Sequence, residues 1–117
     1  MFKFEDYFQG HGLDRYERAV VAQAYEIFCA SEKEYWKHIE INKGMEGADV
    51  ADRRLVMMDA YEALYGTRKA MGMVQALSIR HAYDPSATPS EAFLPCDSAL
   101  CGMYQAGVTL ADIAKAQ

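Results

Sequence analysis

Between residues 14 and 41 apolar side chains recur at helical spacing along two adjoining stripes, and this doubled pattern constrains the chain more than any other feature. One stripe runs Tyr16, Val20, Ala24, Ile27, Tyr35 and His38, interrupted by Ser31; the other runs Val21, Tyr25, Phe28, Cys29, Trp36 and Ile39. Steps of three, four and their multiples keep side chains on one side of an α-helix. Two such stripes make an arc wider than one neighbouring helix covers, so this helix is either sandwiched centrally or shared with a second chain.

Local signals bound the helix. Asp14 followed by Glu17 supplies an acceptor for the free backbone donors and an acid near the positive end of the dipole. Asn42-Lys43-Gly44 ends it, with Gly44 expected in the left-handed conformation that glycine adopts without a Cβ penalty. Asp49 or Ala48 opens a second helix whose apolar side reads Leu55, Met58, Tyr61, Leu64 and Tyr65. Gly66-Thr67 is expected to kink or split it before the pattern resumes through Met71, Val74, Leu77 and Ser78 towards Ala82. Two long helical segments joined by a short loop predict an antiparallel helical hairpin.

All three prolines lie between residues 85 and 95, which marks residues 84–97 as an irregular connection. Within it Thr88-Pro89-Ser90-Glu91 is a helix start signal, cut short by Pro95. Asp97 caps a further short helix ended by Gly107, and Thr109 with Asp112 starts a last one from Leu110 towards Lys115. Residues 1–12 form an aromatic arm, with Phe2, Phe4, Tyr7 and Phe8 expected to pack on the body ahead of Gly10-His11-Gly12. No segment alternates with period two between turn residues. The 117 residues therefore read as a single all-α domain, a long antiparallel helical hairpin closed by two or three short C-terminal helices.

The 17 acidic and 12 basic residues give a net charge of −5, and residues 1–62 hold 13 of the acids against 8 of the bases. Basic residues adjoin only at Arg53-Arg54 and Arg68-Lys69, too sparse for a phosphate-tracking surface, so direct nucleic-acid binding is not expected. An acidic face suits a protein partner that is basic or itself binds nucleic acid. The N-terminal Met1-Phe2-Lys3-Phe4-Glu5-Asp6 lacks the uncharged core of a secretion signal, and the longest uncharged run, 98–111, is too short for a bilayer. Three irregularly spaced cysteines, Cys29, Cys96 and Cys101, suggest a reducing, cytoplasmic setting, with a Cys96–Cys101 pairing left open.

Several constellations invite chemistry. Glu34 and His38 are four apart, and Asp59 and Glu62 three apart on the next helix, so carboxylates and histidine can meet between antiparallel helices. The Glu-x-x-His spacing of di-iron bundles is absent, and no metal or other cofactor is expected. An enzyme or metal-binding alternative rests on Glu34, His38, Glu62 and His81. Ser78, His81 and Asp84 follow one another at steps of three, but a serine inside a helix lacks the exposed position beside oxyanion donors that a nucleophile needs. No phosphate loop or dinucleotide fingerprint is present, and Cys29 reads as a small buried hydrophobe.

The run Ala106-Gly107-Val108-Thr109-Leu110-Ala111-Asp112-Ile113-Ala114 resembles the turn and first helix of a helix-turn-helix unit. That resemblance implies a DNA-binding regulator, although too few residues follow for a recognition helix. In size and charge the chain is similar to small phage or mobile-element proteins, including inhibitors of host defence such as anti-CRISPR proteins. Eight tyrosines, five phenylalanines and Trp36 give it a surface suited to docking. The expected function is thus a non-enzymatic protein-interaction module. Its interface is expected at Tyr25, Cys29, Glu32, Tyr35, Trp36 and Glu40, with Trp36 partly exposed among charged neighbours and the same stripe able to form a homodimer.

Overall fold

The computed structural model describes residues 1–8, 13–82 and 96–117, apart from the side chains of 78–82 and 96–98. A 3-10 turn at Phe4–Asp6 precedes α1 (Arg15–Lys43), α2 (Val50–Ala82), α3 (Cys96–Gln105) and α4 (Leu110–Ala116). There is no strand among the described residues. The all-α hairpin with short C-terminal helices is thus what the chain forms. The Thr88 start signal, the Ser78–His81–Asp84 series and the Cys96–Cys101 pairing lie outside the described residues or side chains.

Most helix ends follow their signals, but α3 begins at Cys96, so Asp97, expected at its cap, lies within its first turn. Asp14 Oδ1 accepts from Glu17 N–H at 2.8 Å while Glu17 Oε1 accepts from Asp14 N–H at 3.1 Å, a reciprocal capping box. Asp49 Oδ1 accepts from Ala51 N–H at 2.9 Å at the start of α2. α3 ends with Gly107 at φ 75° and the Val108 N–H donating to Met103 C=O, the Schellman arrangement. Gly44 departs from expectation, at φ −76°, because its N–H still reaches back to the Glu40 and Ile41 carbonyls; the left-handed residue of the hairpin loop is Gly47, at φ 86°.

The core occupies one end of a molecule measuring 58 × 28 × 18 Å. Val21, Ala24, Tyr25 and Phe28 of α1 meet Ala70, Val74 and Leu77 of α2, Leu100 and Met103 of α3, and Ile113 of α4. The N-terminal arm joins this cluster through Phe4 and Phe8, as its aromatic density foretold. Arg18 ties the pieces together: its guanidinium stacks over Phe4 and donates to Leu13 C=O at 3.0 Å, to Glu5 at 3.2 Å and to Ala116 C=O at 3.5 Å.

The buried side of α1 draws on both sequence stripes and centres between them, leaving Tyr16 and Trp36 exposed at its edges. Tyr25, expected at an interface, is 1% exposed; its hydroxyl donates to Val108 C=O at 2.6 Å, and burial pushes its pKa well above the ordinary tyrosine value. It anchors the C-terminal segment to the core and is not available at the surface. A helical residue contributes to only one side, so a broad apolar arc resolves into a core face plus exposed margins.

Candidate functional site

Beyond Phe28 and Ala70 the two long helices continue as an arm from Ser31 to Thr67, whose buried side chains among the described residues are Ser31, Ala60 and Thr67. Its inner seam is built from small residues. The Ser31 hydroxyl donates to Ala63 C=O and accepts from Thr67 N–H at 2.9 Å, the two groups that an α-helix joins to each other. This approach needs Gly66, where a Cβ would stand 2.9 Å from Ser31 Cβ. Gly66-Thr67 therefore neither kinks nor splits α2, which runs unbroken; the glycine is where α1 comes closest.

A polar chain leads outwards from this seam. Thr67 Oγ1 donates to Glu32 Oε1 at 3.2 Å, and Glu32 Oε2 accepts from Trp36 Nε1 at 3.0 Å. Trp36 is 50% exposed and meets Tyr35 edge to face at 5.2 Å, while Glu40 pairs with Lys43 at 3.1 Å. Cys29 is half-buried, and burial raises its thiol pKa, so it is poorly suited to act as a nucleophile. Of the six expected interface residues, Glu32, Tyr35, Trp36 and Glu40 are thus at least partly accessible, Cys29 is half-covered, and Tyr25 belongs to the core.

On one side of the seam Glu34, His38, Asp59 and Glu62 line an open groove of about 590 Å³. His38 Nδ1 lies 2.7 Å from Glu34 C=O, and its Nε2 is 4.0 Å from Asp59 Oδ2. Three of the four residues named for the enzyme alternative therefore share a wall; the side chain of His81 lies outside those described. Among the described residues no three His, Cys, Asp or Glu side chains are grouped to hold a metal ion. A groove this open keeps water in contact with its carboxylates, so it lends acid–base chemistry little geometric support.

The outer face of α2 differs most from the sequence reading. Leu55, Met58, Tyr61 and Tyr65, expected to cover α1, are 60, 63, 60 and 66% exposed, and only Leu64 of that group is half-buried. The seam explains the reversal: Ala60, Ala63, Gly66 and Thr67 let the helices approach closely, which large side chains would prevent, so the large residues point away. Along the arm α2 thus carries a small-residue side towards α1 and a row of large apolar side chains on the opposite side, with charged residues between them. Sequence reasoning identified the apolar residues but missed the small-residue seam, whose signal was the i, i+3, i+7 spacing of Ala60, Ala63 and Thr67.

No helix among the described residues is long and apolar enough to cross a membrane. α4 is a single short helix docked by Ile113, and the helix-turn-helix likeness is confined to its entry turn and capping pattern. Neither a protein-family model, nor a curated protein, nor a solved structure matches the chain.

Proposed function

We propose that this chain is a non-enzymatic protein-interaction module that docks through the outer face of α2 along the arm. The observation behind this reading is the row of four large apolar side chains, each at least 60% exposed, on a two-helix arm that has no large buried side chain of its own. Exposed rows of this kind mark binding surfaces, and tyrosine and methionine are common at their centres. Along the arm, α2 carries three acidic residues, Asp52, Asp59 and Glu62, and two basic ones, Arg53 and Arg54. Because charges of both signs stand beside the apolar row, an apolar partner surface of balanced charge fits it better than a strongly basic one. Inhibition of a host system would be one use of such a module and rests on the chain's size and charge.

The test is photo-cross-linking in the native host with benzoylphenylalanine at Tyr61, compared with the same probe at exposed Tyr16 on the body. Protein adducts concentrated at position 61 are expected. Equal adducts at both positions, or none at 61, would remove the reading.

A further inference from the structure

We infer that the occupant of this face is a second copy of the chain, bound antiparallel about a two-fold axis at Met58. The inference rests on the docking reading above and names its partner. The face is symmetric in its spacing: Leu55 and Tyr61 lie three residues to either side of Met58, and Ala51 and Tyr65 seven. In an isologous antiparallel contact each residue meets the one at the mirrored position. Met58 then packs on Met58 of the other copy, Leu55 lies level with Tyr61, and the large Tyr65 lies over the small Ala51. A 3.5-residue average spacing is also what holds a seam between two helices crossing at a shallow angle.

The lengths agree with this register. With the axis at Met58, Thr67 of one copy is level with Asp49 of the other. Each body, whose α2 core contacts begin at Ala70, therefore starts where the opposite arm has ended at the hairpin loop. The two arms overlap along their full length in this register.

Area and charge permit the contact. At their observed exposures the four side chains offer about 500 Å². A stable interface takes roughly 600–1,000 Å² from each partner, a range that Ala51 and the aliphatic stems of Arg54 and Glu62 bring within reach. The overlapping segments, residues 49–67 of each copy, carry Asp49, Asp52, Asp59 and Glu62 together with Arg53 and Arg54. In this register Arg54 of one copy lies level with Glu62 of the other, so opposite charges meet on both flanks of the apolar row.

Sedimentation of the full chain, with circular dichroism to confirm the fold, tests the contact. A dimer is expected at about 50 µM, and Met58→Glu, which sets two carboxylates face to face on the axis, should weaken it at least about 100-fold while leaving a folded monomer. Cysteine cross-linking fixes the register independently of that variant. Under mild oxidation Met58→Cys should form an interchain disulfide beyond the wild-type level, and Leu55→Cys mixed with Tyr61→Cys should do so more than either alone. A wild-type chain that stays monomeric at that concentration overturns the inference, as does a dimer dispersed by Trp36→Glu and not by Met58→Glu. A monomeric chain that still cross-links another protein through position 61 overturns the second copy alone; a chain that does neither overturns the docking face as well.

Discussion

Gly66 faces Ser31 so closely that a Cβ on the glycine would stand 2.9 Å from Ser31 Cβ and 3.0 Å from its hydroxyl. The Ser31 Cβ is fixed to the helix backbone and cannot swing aside, and the hydroxyl can turn only by giving up its bonds to Ala63 C=O and Thr67 N–H. Gly66→Ala should therefore destabilise the chain by about 1–3 kcal/mol, more than offsetting the gain of about 1 kcal/mol in helix propensity. Combining it with Ser31→Gly should recover part of that loss, because the clash belongs to the pair. Thermal melts of the two single variants and the double variant measure the coupling, and strict additivity would contradict the close contact.

The hydroxyl itself makes a separate contribution. Ser31→Ala keeps the Cβ and removes the acceptor for the buried Thr67 N–H and the donor to Ala63 C=O. An unsatisfied buried polar group costs about 1–3 kcal/mol, and α2 can recover part of it by closing its own Ala63–Thr67 pair. A loss of about 1 kcal/mol in urea unfolding is expected, with an unchanged denaturant slope.

These two positions mark where the sequence was legible and where it was not. Caps and core residues were readable because local patterns determine them: Asp14 with Glu17, Thr109 with Asp112, and the spacing of Val74 and Leu77. Ser31 looked like a break in an apolar stripe, and Gly66 like a break in a helix. Each makes sense only beside the other, 35 positions away. The outward turn of Leu55, Met58, Tyr61 and Tyr65 followed from the same omission, since a close seam of small residues reverses which side of the helix faces its neighbour.

Arg18 should matter more than its ion pair. The Glu5 contact at 3.2 Å involves side chains 32 and 52% exposed, and such pairs contribute only about 0–1 kcal/mol. The guanidinium also donates to Leu13 C=O and stacks on the buried Phe4 ring. Glu5→Gln should accordingly change stability by less than about 0.5 kcal/mol. Arg18→Ala should cost about 1–3 kcal/mol and raise protease sensitivity near the aromatic arm. Equal effects from the two variants would show that the ion pair dominates.

Acid should loosen α4 before it unfolds the hairpin. Asp112 Oδ2 accepts from Thr109 N–H at 2.9 Å, and this backbone hydrogen bond, with a further one from the Thr109 side chain, holds its carboxyl below the usual aspartate range. A carboxyl with a depressed folded pKa contributes stability above its unfolded value of 3.8, and that contribution disappears as pH falls through the folded value. Amide exchange of residues 109–117 should therefore accelerate as pH drops below the ordinary carboxylate range, after correction for intrinsic rates. In Asp112→Asn, which does not titrate, this acid-dependent step should be absent.

Trp36 is the single tryptophan, so its emission reports on one place alone. It lies on α1, half exposed, with its indole N–H held by Glu32, while the proposed contact uses the side of α2 that faces away from α1. Dimerisation there leaves the indole environment as it is. Diluting the chain from about 100 µM to 1 µM, across the range where an interface of this size dissociates, should leave the emission maximum unchanged while the sedimentation coefficient falls. An interface centred on Trp36, as the sequence stripes suggested, would exclude water from the indole and produce a red shift on dilution. Glu32→Gln supplies the control: its amide oxygen can still accept from the indole N–H, but the adjacent negative charge is gone, so the emission should shift independently of protein concentration. A concentration-dependent shift in the wild type would place the contact on α1.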